Sequence, residues 1–598
     1  MASRSYGAYS SPPWLLSAAI YALLFGFPCS ALGTIGFDFH HRYSDPVKGM
    51  LTVDDLPEKG TPHYYAAMSH RDRVNWASGS RGRGLLDQTS TPPQTQLTFS
   101  DGNETYRLNS LGYLHYANVS VGTPSVSFLV ALDTGSDLFW LPCDCESCVR
   151  GLQSSSGQKI DFNIYSPNTS SSSGSVPCSN SLCPLQGQCP TPQTDCRYQV
   201  EYLDNGTSST GVLVEDVLHL TPDATPSKSS KLVEAKITFG CGQVETGSFL
   251  NGAAPNGLFG LGMSNISVPS TLAKEGYTSN SFSMCFGEDG LGRISFGDSG
   301  GSSDQGETPF NLRSLHPTYN ISITQTVVGG NSEDVEFSAI FDTGTSFTYL
   351  NDPAYSVITQ NFDSLTKDLR HSSSSTSNLP FEYCYDISSN QTEVPTLDLI
   401  MKGGDYFNVT DPLVYVNLQV ITWGGLLICI SILSSYYYYG NIHLYEFGVV
   451  KMLQNGGLLY CLGLVKSGNV NIIGRECHYL WFGLVSSTLR FLLSSSSCLS
   501  TENFMTGYRI IFDRDRNVLG WKSSNCYTKE SSNTLPIGPT DSSMVPPATA
   551  VNPEATDAGG NNTSASGSGQ RNNSPRKLVL FRFRVVTAVI CLMLFFTV

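Results

Sequence analysis

Phe128-Leu129-Val130-Ala131-Leu132-Asp133-Thr134-Gly135-Ser136 and Phe337-Ser338-Ala339-Ile340-Phe341-Asp342-Thr343-Gly344-Thr345-Ser346 repeat one pattern. Each runs an apolar strand into Asp-Thr-Gly and then a hydroxyl residue. The copies stand 209 positions apart, about the length of one lobe. A lone Asp-Thr-Gly is weak evidence, whereas two in the same strand-turn setting are specific. A strand end can deliver each aspartate to the interface between lobes. Gly135 and Gly344 permit a tight backbone approach, and the hydroxyls of Thr134, Ser136, Thr343 and Thr345 can orient the carboxylates. Two carboxyls brought together cannot both ionise cheaply, so they share a proton. The ionised member can then take a proton from water while the other donates to the carbonyl under attack. That is general acid–base hydrolysis of a peptide with no covalent intermediate.

From Tyr113 onward short alternating strands are broken by Gly, Pro and Asn, which reads as all-β, hairpin-rich sequence. The 598 residues exceed one ordinary core and suggest two lobes, placed at 97–310 and 311–527. Charged residues are 14% of the chain, below the ~25% usual for soluble domains, and Ser and Gly fill the gap. A net charge of −15 argues against nucleic acid as a partner. There is no nucleotide-binding Gly pattern, no His-Glu-x-x-His and no nucleophile elbow, so neither cofactor nor metal is expected.

Both termini carry processing signals. The apolar run Trp14 to Phe27 with small residues at Cys29-Ser30-Ala31 reads as a signal peptide over 1–31. A signal anchor is the competing reading, but the run is short for ~30 Å of hydrocarbon. At the other end, a Ser/Asn/Pro/Gly stalk (528–568) leads into 569–598. There a basic stretch and the apolar run Val585 to Val598 form the pattern of a GPI-anchor signal. The competing reading is a tail anchor. Residues 32–96 read as a pro-segment whose Arg71, Arg73, Arg81 and Arg83 could lie over an acidic site until removed. A disordered linker is the alternative.

Of 17 cysteines, eight cluster between Cys143 and Cys241, as expected of a disulfide-stapled insertion in an oxidising compartment. Zinc competes, but no His lies near. Sequons at Asn103, Asn118, Asn168, Asn205, Asn265, Asn320, Asn390 and Asn408 agree with secretion.

The chain therefore resembles the pepsin-type aspartic proteases, and among them the plant, nepenthesin-like branch, over roughly Leu97 to Tyr527. The resemblance implies an all-β, bilobal fold of two β-barrel-like lobes with the cleft between them. It also implies activation from a zymogen and a catalytic pair, Asp133 and Asp342. Pepsin is the standing example of a proton-sharing carboxyl pair, so that property comes with the family. Trp140 matches the tryptophan that steadies the flap tyrosine, and Tyr202 matches that tyrosine, which closes over substrate. Leu258-Phe259-Gly260 and Ile472-Ile473-Gly474 match the element behind each aspartate. By resemblance Cys285 pairs with Cys526 and Cys384 with Cys461, and the other eight stay unassigned. The expected substrate is a peptide or protein and the expected state a monomer. The expected location is the extracellular face of the plasma membrane, through a GPI lipid, or the cell wall.

Two stretches depart from the family. Residues 420–454 and 475–501 are apolar, Tyr- or Ser-rich, and lack strand alternation. Removing both joins the flanks into family-like sequence and drops Cys429, Cys477 and Cys498, leaving an even number of cysteines once Cys29 and Cys591 are set aside. They read as translated introns or gene-model errors. The rival is a pair of genuine, membrane-touching loops, though neither apolar core reaches ~20 residues. Three functional classes follow: an aspartic endopeptidase, a catalytically impaired pepsin-fold binding or inhibitor protein, and an integral membrane protein. Both Asp-Thr-Gly units are intact, which favours the first.

Overall fold

Two large sheets build the molecule. In the computed structural model the described residues are 34–42, 44, 46–47, 51, 57, 59–83, 96–98, 105–107, 113–153, 159–202, 207–223, 232–287, 290–301, 303–312, 317–371, 379–387, 394–409, 412–418, 458–467, 471–473 and 504–526. The stretches read as signal peptide, stalk, lipid-anchor signal and anomalous insertions lie outside them. The larger sheet has 14 strands and is mostly antiparallel. Its N-terminal part holds Val126–Asp133 between Leu258–Gly260 and His115–Val121. Its far edge holds Ser281–Phe286 paired with Tyr508–Asp513, then Val518–Ser523 and Gly306–Pro309. The last strands of the described chain therefore complete a platform begun in the first half. The second sheet, of eight strands, carries Phe337–Phe341 between Asn320–Val328 and Ile472–Ile473. The fold is all-β and bilobal, as the alternation in sequence implied.

The apolar runs before each aspartate are buried. Phe128, Val130 and Leu132 are no more than 1% exposed, as are Ala339 and Phe341. At ~25 cal/mol per Å² of apolar surface, this burial is what holds the strand ends in place. Each strand is backed by a parallel partner. Leu258-Phe259-Gly260 registers with Ala131-Leu132-Asp133, and Ile472-Ile473 with Ile340-Phe341. Gly260 sits opposite Asp133 because nothing larger fits: a Cβ there would lie 2.3 Å from the backbone of Asp137.

The segment read as a pro-segment is packed into this frame. Ile35–His41 is a strand between Leu291–Phe296 and His115–Val121, and it buries Phe37 and Phe39. Asp38 on that strand is buried too, and Arg293 Nη1 donates to it at 2.9 Å. Pro62–Arg83 is a helix with Pro at its start and Thr61 ahead of it, whose hydroxyl accepts from Tyr64 N at 3.3 Å. The sequence suggests only helical patches over a polar stretch. The difference arises because Tyr64, Tyr65, Ala67 and Met68 are fully buried in the folded chain. Tyr65 Oη donates to Tyr415 O at 2.7 Å, which docks the helix on the second half of the molecule.

Disulfides join Cys143–Cys241, Cys145–Cys148, Cys178–Cys189, Cys183–Cys196, Cys285–Cys526 and Cys384–Cys461. The sulfurs of Cys178, Cys183 and Cys189 lie within 4.8 Å of one another, and each belongs to one of these bonds. Among the sequons, Asn168, Asn265 and Asn408 are exposed, whereas Asn320 is buried with its amide oxygen bonded to Asn311. That position is no accessible glycan acceptor.

Beside the staples, Glu245 is 1% exposed, and burial pushes its carboxyl from 4.5 up to about 8. The folded state holds this proton more tightly than the unfolded chain. The stability contributed is therefore full below pH 4.5 and is lost as pH rises through about 8. Glu245→Gln is expected to raise the melting temperature at pH 8 and leave it nearly unchanged at about pH 4. Each pH unit between the two values is worth about 1.4 kcal/mol. Thermal scans at the two pH values check this; equal shifts at both would refute it.

Candidate active site

Each aspartate leaves its strand and turns back on itself. Gly135 N donates to Asp133 Oδ1 at 2.8 Å, and Gly344 N to Asp342 Oδ1 at the same distance. The two turns face one another. A Cβ placed on Gly135 would lie 3.1 Å from Asp133 Oδ1 and 3.9 Å from Asp342 Oδ1; on Gly344 the same oxygens lie 3.6 and 3.2 Å away. Either Cβ position would lie within 4 Å of an oxygen of each carboxylate, so both carboxylates face the same small space between the turns.

The lobes are tied just behind this point. Thr134 Oγ1 and Thr343 Oγ1 are 3.2 Å apart, and Thr343 N donates to Thr134 Oγ1 at 3.2 Å. His115 adds a link that the sequence does not announce. Fully buried, its Nδ1 lies 3.2 Å from Thr343 O, which can only accept, so Nδ1 carries the proton. Nothing around His115 signals a partner 228 residues away.

The hydroxyls after the two Asp-Thr-Gly units differ. Thr345 Oγ1 donates to Asp342 Oδ2 at 2.7 Å. Ser136 Oγ is buried and meets no hydrogen-bonding partner among the described residues, so it does not orient Asp133 as its place in the repeat implies. The chemical symmetry of the repeat is broken at this position.

Trp140 and Tyr202 meet. The indole Nε1 donates to Tyr202 Oη at 2.8 Å, and both rings pack edge-on against Phe249. Burial raises the Tyr202 phenol, so it stays neutral. Trp140→Phe removes the donor together with part of a fully buried ring system. It is expected to lower kcat/KM about tenfold, the scale of one buried, unmet hydroxyl. Peptide hydrolysis kinetics test it; an unchanged constant would show that this bond does not position Tyr202.

The helix Pro62–Arg83 occupies the second half of the site. Arg71 Nη1 donates to Gly344 O at 2.7 Å and to Asp72 Oδ1 at 2.7 Å. Asp72, 1% exposed, accepts from Ser346 N at 3.0 Å, Ser346 Oγ at 3.1 Å and Tyr349 Oη at 2.9 Å. Of the four arginines expected over the acidic site, Arg71 stands beside the loop of Asp342; the side chains of the other three lie outside the described residues. Asp72 is a surprise, since a charged residue in a polar stretch reads as exposed. Burial raises its carboxyl to about 6 against the pull of Arg71. Through this group docking is strongest below pH 3.8 and weakens as pH rises through about 6. Acid does not loosen this anchor by protonating Asp72.

The family model described as xylanase inhibitor N-terminal matches residues 115–298, and that described as xylanase inhibitor C-terminal matches 318–492. Aspartyl protease family protein 1 of Arabidopsis thaliana is 48% identical, over 93% of this chain and 94% of its own. Aspartic proteinase-like protein 1 of the same plant is 33% identical over 81% and 80%. Aspartic proteinase nepenthesin-2 of Nepenthes gracilis is 28% identical over 73% and 94%. With the paired Asp-Thr-Gly turns and two tied lobes already in view, this degree of identity along nearly the whole length means that the chain belongs to the pepsin-type aspartic protease family.

Proposed function

We propose that the chain is the zymogen of a secreted, surface-anchored aspartic endopeptidase. Asp133 and Asp342 share one proton and activate a water lying between them. The ionised carboxyl removes a proton from the water as its oxygen attacks the peptide carbonyl carbon. The protonated carboxyl gives its proton to the carbonyl oxygen, and collapse of the tetrahedral species transfers a proton to the leaving nitrogen. Thr134, Gly135, Thr343, Gly344 and Thr345 hold the two carboxyls, and Tyr202, steadied by Trp140, covers the substrate. The observation that carries this reading is the approach of both carboxylates to one common point.

The helix Pro62–Arg83 blocks peptide entry until it is cut away, a role supported by its contacts with Gly344 O and Ser346 N. A binding or inhibitor role fits less well, because both carboxyls and the tie between lobes are intact. The signal peptide and lipid-anchor signal give the expected route to the cell surface. Purified protein, allowed to lose its pro-segment, is expected to hydrolyse denatured protein at acid pH and to be stopped by pepstatin. N-terminal sequencing fixes the processing point, and a GPI-specific phospholipase should release the protein from cells. Absence of any hydrolysis by the chain without residues 420–454 and 475–501, its pro-segment gone, overturns the enzyme reading. Retention on the membrane after lipase treatment overturns the anchor.

A further inference from the structure

The peptide unit that joins Thr343 to Gly344 is held at both ends. Its N–H, that of Gly344, donates to Asp342 Oδ1 at 2.8 Å. Its carbonyl, Thr343 O, accepts from His115 Nδ1 at 3.2 Å. Imidazole, peptide and carboxylate thus form one chain of hydrogen bonds that ends on a reacting atom. His115 and Thr343 are both fully buried. Phe39, His41 and Phe286 pack around the imidazole, with ring centroids 5.5, 5.5 and 5.7 Å away. The pro-segment holds the same loop differently: Arg71 donates to Gly344 O and leaves with its helix. His115 stays, because it opens the strand His115–Val121 of the protease body.

We propose that His115 is a positioning residue for hydrolysis: through the Thr343–Gly344 peptide it sets where Asp342 Oδ1 stands relative to the water between the carboxyls. The proposal rests on the protease reading above. A peptide whose carbonyl accepts a hydrogen bond is polarised, and its own N–H becomes a stronger donor. A buried carbonyl left without a donor is costly, so without His115 the loop turns Thr343 O towards another partner. The Gly344 N–H turns with it, because the two belong to one rigid plane. Asp342 Oδ1 then loses the donor that aims it, and a small misplacement of a reacting group costs rate. His115 lies behind the turn and not in the cleft, so the loss falls on kcat and not on KM.

Two substitutions separate positioning from mere support. His115→Asn keeps an N–H donor close to where Nδ1 stands, whereas His115→Leu keeps apolar bulk and has no donor. Peptide hydrolysis is followed after loss of the pro-segment, on the full chain and on the chain without residues 420–454 and 475–501. His115→Leu is expected to lower kcat about tenfold with KM within about twofold. His115→Asn is expected to recover kcat to within about threefold of the parent. Equal losses in the two variants, or an unchanged kcat in His115→Leu, overturn the proposal. Should His115→Leu not fold, His115→Gln, whose donor falls near Nε2 instead, takes its place with the same expected outcomes. A second measurement needs no catalysis. Isotope labelling of threonine carbonyls and glycine nitrogens isolates the Thr-Gly amides for NMR. The Gly344 amide proton is expected to move upfield in His115→Leu by more than that of Gly135, and to stay near its parent position in His115→Asn. A Gly344 resonance unmoved in His115→Leu overturns the relay. Hydrolysis by neither parent chain overturns the protease reading, and the NMR shift alone then decides the relay.

Discussion

Asp133→Asn is expected to lower hydrolysis by about 10³-fold or more with little change in melting temperature, since general acid–base groups contribute about 10²–10⁴-fold. The substitution is nearly isosteric. The amide oxygen can still accept from Gly135 N, which holds Asp133 Oδ1 at 2.8 Å. The tie between Thr134 and Thr343 does not involve the carboxyl at all. Only the proton chemistry is lost, because an amide neither takes a proton from water nor shares one with Asp342. Asp342→Asn should cost as much, and the double variant little more than either alone, because the two act as a unit. Initial rates on a fluorogenic peptide, with thermal scans of the same samples, decide the matter. Activity within about tenfold of the parent would remove the carboxyl pair from the mechanism.

How much of this was legible in the residues depends on the range over which each feature is decided. The two Asp-Thr-Gly turns are readable because their chemistry is local: the preceding strand, the glycine and the donor from Gly135 or Gly344 all lie within a few positions. The supports behind them are readable only through the family. Leu258-Phe259-Gly260 acquires its meaning from register with Ala131-Leu132-Asp133, a distant part of the chain. The eight N-lobe cysteines admit roughly a hundred pairings, and sequence cannot choose among them. Chain geometry does: Cys143 and Cys241 stand on neighbouring parallel strands, while Cys145 and Cys148 close a short loop.

The pro-segment shows the same limit more sharply. Phe37 and Phe39 alternate with Asp38 and His40, the period of a half-buried strand, yet so short an alternation carries little weight by itself. Arg71 is legible as a basic residue that could lie over an acidic site, but nothing local singles out Asp72 beside it. The burial of both is decided by Gly344, Ser346 and Tyr349, far along the chain. Ser136 illustrates the converse. Its place in the repeat implies a role equal to that of Thr345, but only Thr345 reaches its carboxylate.

Excision of 420–454 and 475–501 is the second large effect. We infer that neither stretch belongs to the working protein. The shortened chain is expected to be about tenfold or more as active as the chain as written, and to be the more stable, because two long apolar stretches that lack strand alternation are removed from beside the core. The first stretch interrupts an antiparallel pair, Leu413–Asn417 with Leu458–Leu462, in which Asn417 stands opposite Leu458. Its flanks are already adjacent, so excision leaves a short hairpin connection. The second begins directly after Gly474, next to Ile472-Ile473, the strand that backs Phe337–Phe341. Asp342 N donates to Ile473 O at 3.2 Å, so displacement of that short strand moves the aspartate itself. On the far side Phe504 and Met505 are buried, and the chain must return to them. Loop closure is a minor cost, since each doubling of a flexible loop adds only about 0.6 kcal/mol. The larger cost is chemical. In sequence, Leu426-Leu427-Ile428 and Leu480-Trp481-Phe482 are apolar runs whose exposure to water would be costly. Expressing both chains side by side, with equal pro-segment removal, gives the comparison; equal specific activity would show that the stretches loop out harmlessly. Correctly spliced transcripts that read through both would make them genuine parts of the protein, and the activity ratio would then measure what they cost the strand behind Asp342.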